Sequence, residues 1–267
     1  MIIVRILGGL GNQMFQYAYA KSLEMKGYKV QLDLSKIKKY KLHGGYQLDK
    51  YKIDLKTASA LDVILSKINP FKNLKEKNLL FDKNLTNLKG NEYLKGYFQT
   101  EKYFSDIRSE LVHQFVLKEE LSDSTKLYKT EILKSEISCS LHIRRGDYVT
   151  NLKSNTIHGT CSLSYYNEAI KIINKKYSKV SFFVFSDDIN WTKENLVIQN
   201  AVYINHKCLP HEDIYLMSLC SHNITANSSF SWWAAWLNNN KGKTVIAPEK
   251  WFVNKVNEIA CQNWIKI

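Results

Sequence analysis

Residues 2–34 read IIVRILGGLGNQMFQYAYAKSLEMKGYKVQLDL, and this stretch decides the fold class. The apolar run at residues 2–7 predicts a buried strand, and GGLGN follows it as a turn. The next segment has helical periodicity and stops at Gly27, after which residues 28–34 predict a second strand. A strand, a helix and a second strand in this order predict the start of a parallel sheet, because parallel neighbours need a crossover.

The same alternation returns in the second half of the chain. The predicted strands are ISCSLHIR, VSFFVFS, AVYIN, NITA and KTVIA, and the predicted helices are LSYYNEAIKIINKKY, WTKENL, HEDIYLMSLCSH and SSFSWWAAWLNN. Residues 35–100 are irregular and predict only short helices, whereas residues 101–137 look mostly helical with a break near 112–118. We therefore predict two α/β domains that face each other across a cleft, with bounds 1–125 and 126–267.

The composition is that of a folded and basic protein. The 267 residues include 38 basic and 25 acidic side chains, which give a net charge of +13. Such a charge suits nucleic acid, an anionic membrane surface or a phosphorylated substrate as a partner. Aromatic residues interleave with lysines at residues 38–52, but no nucleic-acid-binding motif is present, so we expect no nucleic-acid partner.

Cysteine usage and hydropathy indicate the cellular compartment of the protein. The five cysteines are odd in number and lack CxxC spacing, which indicates reduced thiols rather than a disulfide framework or a zinc site. The N-terminal segment is too short and too interrupted for a signal peptide, and no run of about 18 apolar residues exists. We therefore expect a cytoplasmic protein without a cysteine-based zinc site.

Three polar turns follow predicted strands of the second half. They contain His142, Arg144, Arg145 and Asp147 in HIRRGD, Asp187 and Asp188 in SDD, and Asn227, Ser228, Ser229 and Phe230 in ANSSF. Ligands on parallel sheets bind beyond the carboxyl ends of the strands, so we expect these turns to converge on one site.

The residue types in these turns suit a nucleotide diphosphate. Only four of the basic residues are arginines, and two of these are Arg144 and Arg145. A guanidinium binds phosphate oxygens through a planar fork that lysine lacks, and serines at a helix start offer hydroxyl and N–H groups. The two aspartates suit a base edge or a ribose. Structural alternatives stay open: Arg145 could pair with Asp147, and Asp187, Asn227 or Ser228 could simply cap the helix that follows.

The GGLGN turn gives a weaker signal. Gly11 completes a GxG pattern, but Met14 stands where a dinucleotide-binding fingerprint has its third glycine, and no P-loop lysine follows. We read a backbone that approaches a ligand closely, with the Asn12 and Gln13 amides available for hydroxyl recognition. The alternative is a tight turn that only starts a helix.

The tryptophans of SSFSWWAAWLNN allow two readings. Aromatic rings often stack on sugars, and Trp232, Trp233 and Trp236 are close together in the sequence. Their spacing on a helix favours packing between the helix and the sheet, so we predict a core cluster.

Taken together, GGLGNQMFQYAYAKSL, HIRRGDYV, HGTCSLSYYNEAI, FFVFSDDINW and LMSLCSHNITANSSFSWWAAWLN resemble the bacterial α-1,2-fucosyltransferases of glycosyltransferase family 11. The matches run in the same order from residue 7 to about residue 238. The resemblance implies a GT-B-like fold of two Rossmann-like domains, the first on the acceptor side and the second binding a GDP-sugar. It also implies GDP-β-L-fucose as donor, transfer with inversion to the 2-hydroxyl of a terminal β-galactoside, and no metal.

The resemblance also implies roles for single residues. Arg144 matches the arginine that engages the donor β-phosphate, and His142 and Asp187 match positions near the guanosine. Ser228 and Ser229 match serines that line the phosphate and nucleoside pocket. Cleavage of a sugar–pyrophosphate bond leaves negative charge on the phosphate, and without a metal a fixed cation must stabilise it. Arg144 is the predicted cation, and Arg145 is expected to brace Asp147 or the loop.

Two questions stay open at this stage. An inverting transfer needs a general base for the acceptor hydroxyl, and Asp147, Asp33 and His158 are rival candidates. The enzyme could also form another linkage or use another GDP-sugar, because the motifs discriminate poorly between acceptors. A galactose-terminated oligosaccharide is the expected acceptor. In O-antigen synthesis it would be lipid-linked, which makes the cytoplasmic face of an anionic inner membrane a candidate location.

Overall fold

The computed structural model describes residues 1–37, 44–66, 68, 70–146, 149, 156, 159–205 and 209–267. The chain divides into two compact units. Unit 1 comprises Met1–Glu119 and Val256–Ile259, and unit 2 comprises Glu120–Lys255 and Ala260–Ile267. The sequence placed the boundary at 125/126. The contacts place it between Glu119 and Glu120, so that the whole helix at Asp123–Lys134 belongs to unit 2.

Unit 1 is built on a parallel sheet of four strands in the order β2-β1-β4-β3. The strands are β1 (Ile2–Arg5), β2 (Val30–Asp33), β3 (Lys72–Lys75) and β4 (Glu92–Lys95). The helices of this unit are α1 (Leu10–Met25), α2 (Ala60–Leu65) and α3 (Arg108–Gln114), with short 3₁₀ turns at Leu48–Lys50, Lys83–Leu85, Glu101–Tyr103 and Ser105–Ile107. The predicted β1–α1–β2 unit is confirmed.

The prediction that residues 35–100 contain only short helices is wrong, because β3 and β4 lie there. Both strands are four residues long, and β3 is an edge strand whose Lys72, Asn73 and Lys75 are exposed. An edge strand of this kind carries no apolar alternation, so its sequence, KNLK, gives no strand signal.

The turn between β1 and α1 depends on Gly8. Its φ of +95° lies in the left-handed region, and a Cβ there would come within 2.8 Å of Asn12 Nδ2. Helix α1 then runs through the middle of unit 1, where it buries most of its residues, and Phe15 and Tyr19 pack against the rings of Phe104 and Tyr103.

Unit 2 is built on a second parallel sheet, in the order β10-β9-β8-β5-β6-β7. The strands are β5 (Ile137–Ile143), β6 (Val180–Ser186), β7 (Ala201–Tyr203), β8 (His222–Ile224), β9 (Val245–Ala247) and β10 (Ile265–Lys266). The helices are α4 (Asp123–Lys134), α5 (Leu163–Lys176), α6 (Ile189–Asn195), α7 (Pro210–Leu219) and α8 (Ser229–Leu237). The alternation predicted from residue 137 onwards is confirmed, and the exposed two-residue β10 is an addition to it.

The tryptophan cluster lies in the core, as predicted. Trp232, Trp233 and Trp236 of α8 are buried, and the rings of Trp232 and Trp236 stack with centroids 6.0 Å apart. Trp264 joins them from the C-terminal segment, with its centroid 5.6 Å from that of Trp232. Among the described residues, no helix has both the length and the apolar character needed to cross a membrane.

Candidate functional site

The register of the second sheet brings the three polar turns together. Leu141 of β5 pairs with Val184 of β6 on one side and with Ile224 of β8 on the other, and all three strands are parallel. The turns that follow β5, β6 and β8 therefore leave the same edge of the sheet side by side.

An ion pair joins two of these turns. Arg144 Nη1 lies 2.7 Å from Asp187 Oδ2, and both side chains are about a quarter exposed (27% and 26%). The other carboxylate oxygen of Asp187 accepts a hydrogen bond of 2.9 Å from the backbone N–H of Arg145. Asp187 therefore holds the β5 turn and orients a guanidinium that still reaches solvent, where it can bind an anion.

Arg145 is held by a different set of contacts. Its Nε lies 3.2 Å from Asp188 Oδ2, and its guanidinium carbon lies 3.6 Å from the centroid of the Trp191 ring. Asp188 also caps α6, because its Oδ1 accepts from the Trp191 N–H at 3.2 Å. Arg145 thus braces the loop against the start of α6. The cap is Asp188 rather than Asp187, and the predicted partner Asp147 lies outside the described residues.

Gly146 is a residue that the sequence reasoning missed. A Cβ added there would lie 2.5 Å from Asp187 Oδ2 and 3.1 Å from its Cγ. Real Cβ atoms do not come this close to another heavy atom, so only glycine lets the chain pass beside the Arg144–Asp187 pair. A glycine directly after the arginine pair was the available signal, but the sequence alone does not show which residue it would approach.

His142 lies at the end of β5, buried between the ion pair and the third turn. Its ring centroid is 5.5 Å from that of Phe230, and its Nδ1 has no hydrogen-bond partner among the described residues. Burial lowers the pKa of His142 to about 4, and Arg144 adds to this effect while Asp187 opposes it. The imidazole is therefore neutral at neutral pH, and it lies beside the Arg144–Asp187 pair.

The third turn opens helix α8. Ser228 is its N-cap, since its Oγ accepts from the Phe230 N–H at 3.3 Å, so the capping alternative describes this serine. Asn227 is buried, and its Nδ2 donates to the Gly159 carbonyl at 3.2 Å. Asn227 therefore ties a neighbouring loop to the sheet edge, while Ser229 and Phe230 remain partly exposed at the first turn of α8.

The candidates in the glycine turn belong to unit 1. Gln13 is fully buried, and its Nε2 donates to the Gly8 and Gly45 carbonyls at 2.9 and 2.7 Å. These bonds use both amide hydrogens, so Gln13 braces the turn. Gly11 is buried in the first turn of α1, whereas Asn12 is partly exposed and accepts from Gln99 Nε2 at 2.7 Å. Only Asn12 of the three presents a side chain to solvent.

Asp33 has a structural environment. It is 1% exposed, one oxygen accepts from the Ser35 N–H at 2.8 Å, and the other accepts from the Tyr93 hydroxyl. A carboxylate closed off in this way does not reach a substrate hydroxyl. Of the rival bases, Asp147 and His158 lie outside the described residues. Within the described part of the chain, no three His, Cys, Asp or Glu residues cluster in a way that could hold a metal ion.

The fold is similar to that of a solved fucosyltransferase structure. The crystal structure of the fucosyltransferase NodZ from Bradyrhizobium is similar, with a TM-score of 0.54 at 12% identity, and the match covers 87% of this chain and 91% of that one. The GT-B-like class of two Rossmann-like domains is thereby confirmed.

Residues 71–267 match the model of glycosyl transferase family 11, and the chain belongs to this family. An α-1,2-colitosyltransferase of Escherichia coli is 37% identical over 94% of this chain and 92% of the relative. The O-antigen biosynthesis glycosyltransferase WbnK, also of Escherichia coli, is 31% identical over 97% and 98% of the two chains. The galactoside α-(1,2)-fucosyltransferase 2 of Bos taurus is 26% identical, over 54% of this chain and 44% of its own.

Proposed function

We propose that this glycosyltransferase moves L-fucose from GDP-β-L-fucose to the 2-hydroxyl of a terminal β-galactoside and forms an α-1,2 linkage in a bacterial surface glycan. The observation that carries the proposal is Arg144, held 2.7 Å from Asp187 at the carboxyl edge of the sheet with part of its guanidinium in solvent. The similarity to relatives named for α-1,2 transfer and for O-antigen biosynthesis supports the linkage and the glycan.

The reaction breaks the bond between C1 of the sugar and the β-phosphate oxygen, and both bonding electrons leave with GDP. The acceptor oxygen attacks C1 from the opposite face, so the configuration inverts, and its proton passes to a general base for which Asp147 and His158 remain candidates. Arg144 meets the charge that grows on the leaving phosphate. Because Asp187 already orients this guanidinium, little reorganisation is needed during the reaction.

Two further groups at this edge suit the donor. The first turn of α8 presents the partly exposed Ser229 to a phosphate, and the neutral His142, beside the Phe230 ring, borders the region where the base would lie. Asn12 of unit 1 is our candidate for hydroxyl recognition on the acceptor side. By this proposal the donor needs no metal or other cofactor, because the guanidinium supplies the positive charge.

A second donor is favoured by one specific observation. The relative with 37% identity is named for colitose transfer. Colitose is the 3-deoxy counterpart of L-fucose, so the two donors would share the GDP contacts and differ only around one sugar hydroxyl. Parallel transfer assays with the two GDP-sugars and a β-galactoside decide between them, and NMR of the product reports the linkage. Transfer of only a third sugar, or a linkage other than α-1,2, would refute the proposal.

The acceptor in this proposal is a galactose-terminated oligosaccharide. If the glycan is an O-antigen, the acceptor carries a lipid and lies on the cytoplasmic face of the inner membrane. The enzyme would then work in the cytoplasm as a peripheral partner of that membrane.

Calorimetric titration with GDP in EDTA tests the donor site. We expect wild-type protein to bind, and Arg144→Ala to lose a charge-assisted hydrogen bond of about 1.5–3 kcal/mol, which is roughly 10- to 150-fold in affinity. Arg108→Ala removes a guanidinium from α3 of unit 1 and serves as the matched control. Binding that requires added metal would overturn the metal-independent mechanism. Equal affinity of wild type and Arg144→Ala would place the site elsewhere.

A further inference from the structure

Helix α2 of unit 1 and the turn after it carry apolar side chains on their outer side. Leu61, Ile64, Leu65 and Ile68 are 64%, 59%, 43% and 55% exposed. The helix itself is well formed, because Ser59 and Asp62 make a reciprocal capping box at its start. Large aliphatic side chains therefore face solvent on an ordered element.

Leu61, Ile64 and Leu65 stand at positions i, i+3 and i+4 on one face of α2, and the exposed Ile68 lies in the turn that follows. We call these four residues the outer stripe. The opposite side of the helix points inward, since Val63 is 5% exposed and the Ser66 hydroxyl donates to the Val63 carbonyl. An ordinary surface helix turns its apolar stripe to the core, so the arrangement here is reversed.

Positive charge borders the outer stripe along the chain. Lys56 precedes α2, and Lys72 and Lys75 lie on edge strand β3, which directly follows the turn; all three are exposed. The acidic side chains of this stretch are engaged locally. Asp62 accepts from the N–H and the hydroxyl of Ser59, and Glu76 accepts from the backbone of unit 1. Both carboxylates are only partly exposed, whereas the three lysines are exposed.

We propose that the outer stripe docks on an anionic lipid surface. The aliphatic side chains would enter the boundary between head groups and acyl chains, while the lysines bind lipid phosphates. Protein interfaces favour aromatic residues and arginine and are poor in lysine, so this combination of leucine, isoleucine and lysine suits lipid better than a protein partner. This inference rests on the proposed function and extends it, because an acceptor linked to a membrane lipid would bring the enzyme to the membrane surface.

Co-sedimentation with vesicles of phosphatidylglycerol and phosphatidylcholine tests the docking without using activity. We expect the wild type to bind at low salt and to be released at high salt, because the lysine contribution is screened. Leu61→Ser/Ile64→Ser should weaken partitioning by about tenfold or more. Lys72→Gln/Lys75→Gln should weaken it by about fivefold for each lysine.

Leu127→Ser/Leu133→Ser is the matched control, because these leucines of α4 are 71% and 62% exposed but do not share one helix face. This variant should partition like the wild type. Absence of vesicle binding at low salt, or equal weakening by both serine pairs, would overturn the proposal. A concentration-dependent dimer that only Leu61→Ser/Ile64→Ser abolishes would also overturn it and assign the stripe to a second copy. GDP titration of the same samples reports separately on the donor site.

Discussion

Replacing Gly146 by alanine should damage the donor site through Asp187. The new Cβ would start 2.5 Å from Asp187 Oδ2, whereas an ordinary van der Waals contact is 3.4–4 Å. Relief of the clash requires a shift of about 1 Å. If Asp187 makes this shift, the 2.7 Å contact with Arg144 and the 2.9 Å bond from the Arg145 N–H both lose their present geometry.

Overpacking of this kind costs about 1–3 kcal/mol. If that cost falls on the donor-binding arrangement, GDP affinity drops roughly 5- to 150-fold. Calorimetric titration of Gly146→Ala with GDP measures the loss, and a thermal melt shows that unit 2 stays folded.

Two other glycines provide controls. A Cβ on Gly242 would have no neighbour closer than 3.6 Å, so Gly242→Ala should leave both stability and GDP affinity unchanged. A Cβ on Gly96 would lie 2.6 Å from the Glu76 Cβ in unit 1, so Gly96→Ala should lower stability without a specific loss of GDP affinity. A folded Gly146→Ala variant that binds GDP like the wild type would refute the assignment of Asp187 as the residue that positions Arg144.

Three further predictions concern unit 2. Burial lowers the pKa of His142 from 6.5 to about 4, so between these pH values only the unfolded chain takes up this proton. Lowering the pH through this window should therefore reduce the free energy of unfolding by on the order of 1–3 kcal/mol. Urea titrations should find no such pH dependence in His142→Gln. Glu212→Ala should lower the free energy of unfolding by about 2–4 kcal/mol, because the buried Glu212 carboxylate accepts from the Ser122 backbone N–H and from the Ser122 and Thr125 hydroxyls at the start of α4. Urea unfolding measures this loss, with Glu194→Ala at an exposed position as the control. An equal loss in both variants would contradict the prediction. Arg145→Lys should lower the melting temperature, because the contact of the guanidinium with the Trp191 ring is lost. It should weaken GDP binding less than Arg144→Lys does. The reverse order of GDP affinities would assign donor binding to Arg145 and bracing of the loop to Arg144.

Long apolar runs made much of the fold predictable from the sequence. VSFFVFS and ISCSLHI are buried along nearly their whole length, and both form the strands expected of them. β3 escaped prediction because an exposed edge strand of four residues, KNLK, has no apolar pattern. The order of the strands in the sheet also cannot be predicted from local residue patterns, because it depends on how the helices that connect the strands pack against the sheet. In this sheet β8, and not β9, lies beside β5.

The sequence was enough to predict which residues belong to the candidate site, but not which of them pair with each other. Residue type and position after a strand were enough to select Arg144 and Asp187. Which arginine pairs with which aspartate depends on the register of β5 against β6, because that register puts Ile143 opposite Ser186 and so aligns the residues that follow. The close approach of Gly146 to Asp187 is decided by the same register. Local residue patterns do not show this register, because it depends on how the whole sheet packs.

The return of residues 256–259 to unit 1 bears on the order in which the chain folds during synthesis. The Glu258 carboxylate accepts from the Phe81 N–H at 3.0 Å and lies 2.9 Å from Lys102 Nζ, so unit 1 lacks these contacts until residue 258 has been made. On the ribosome, residues 1–119 emerge first but wait for nearly the whole of unit 2 before these contacts can form. A nascent chain that stalls before residue 256 therefore presents an incomplete first unit, open at Phe81 and Lys102, to proteases and chaperones.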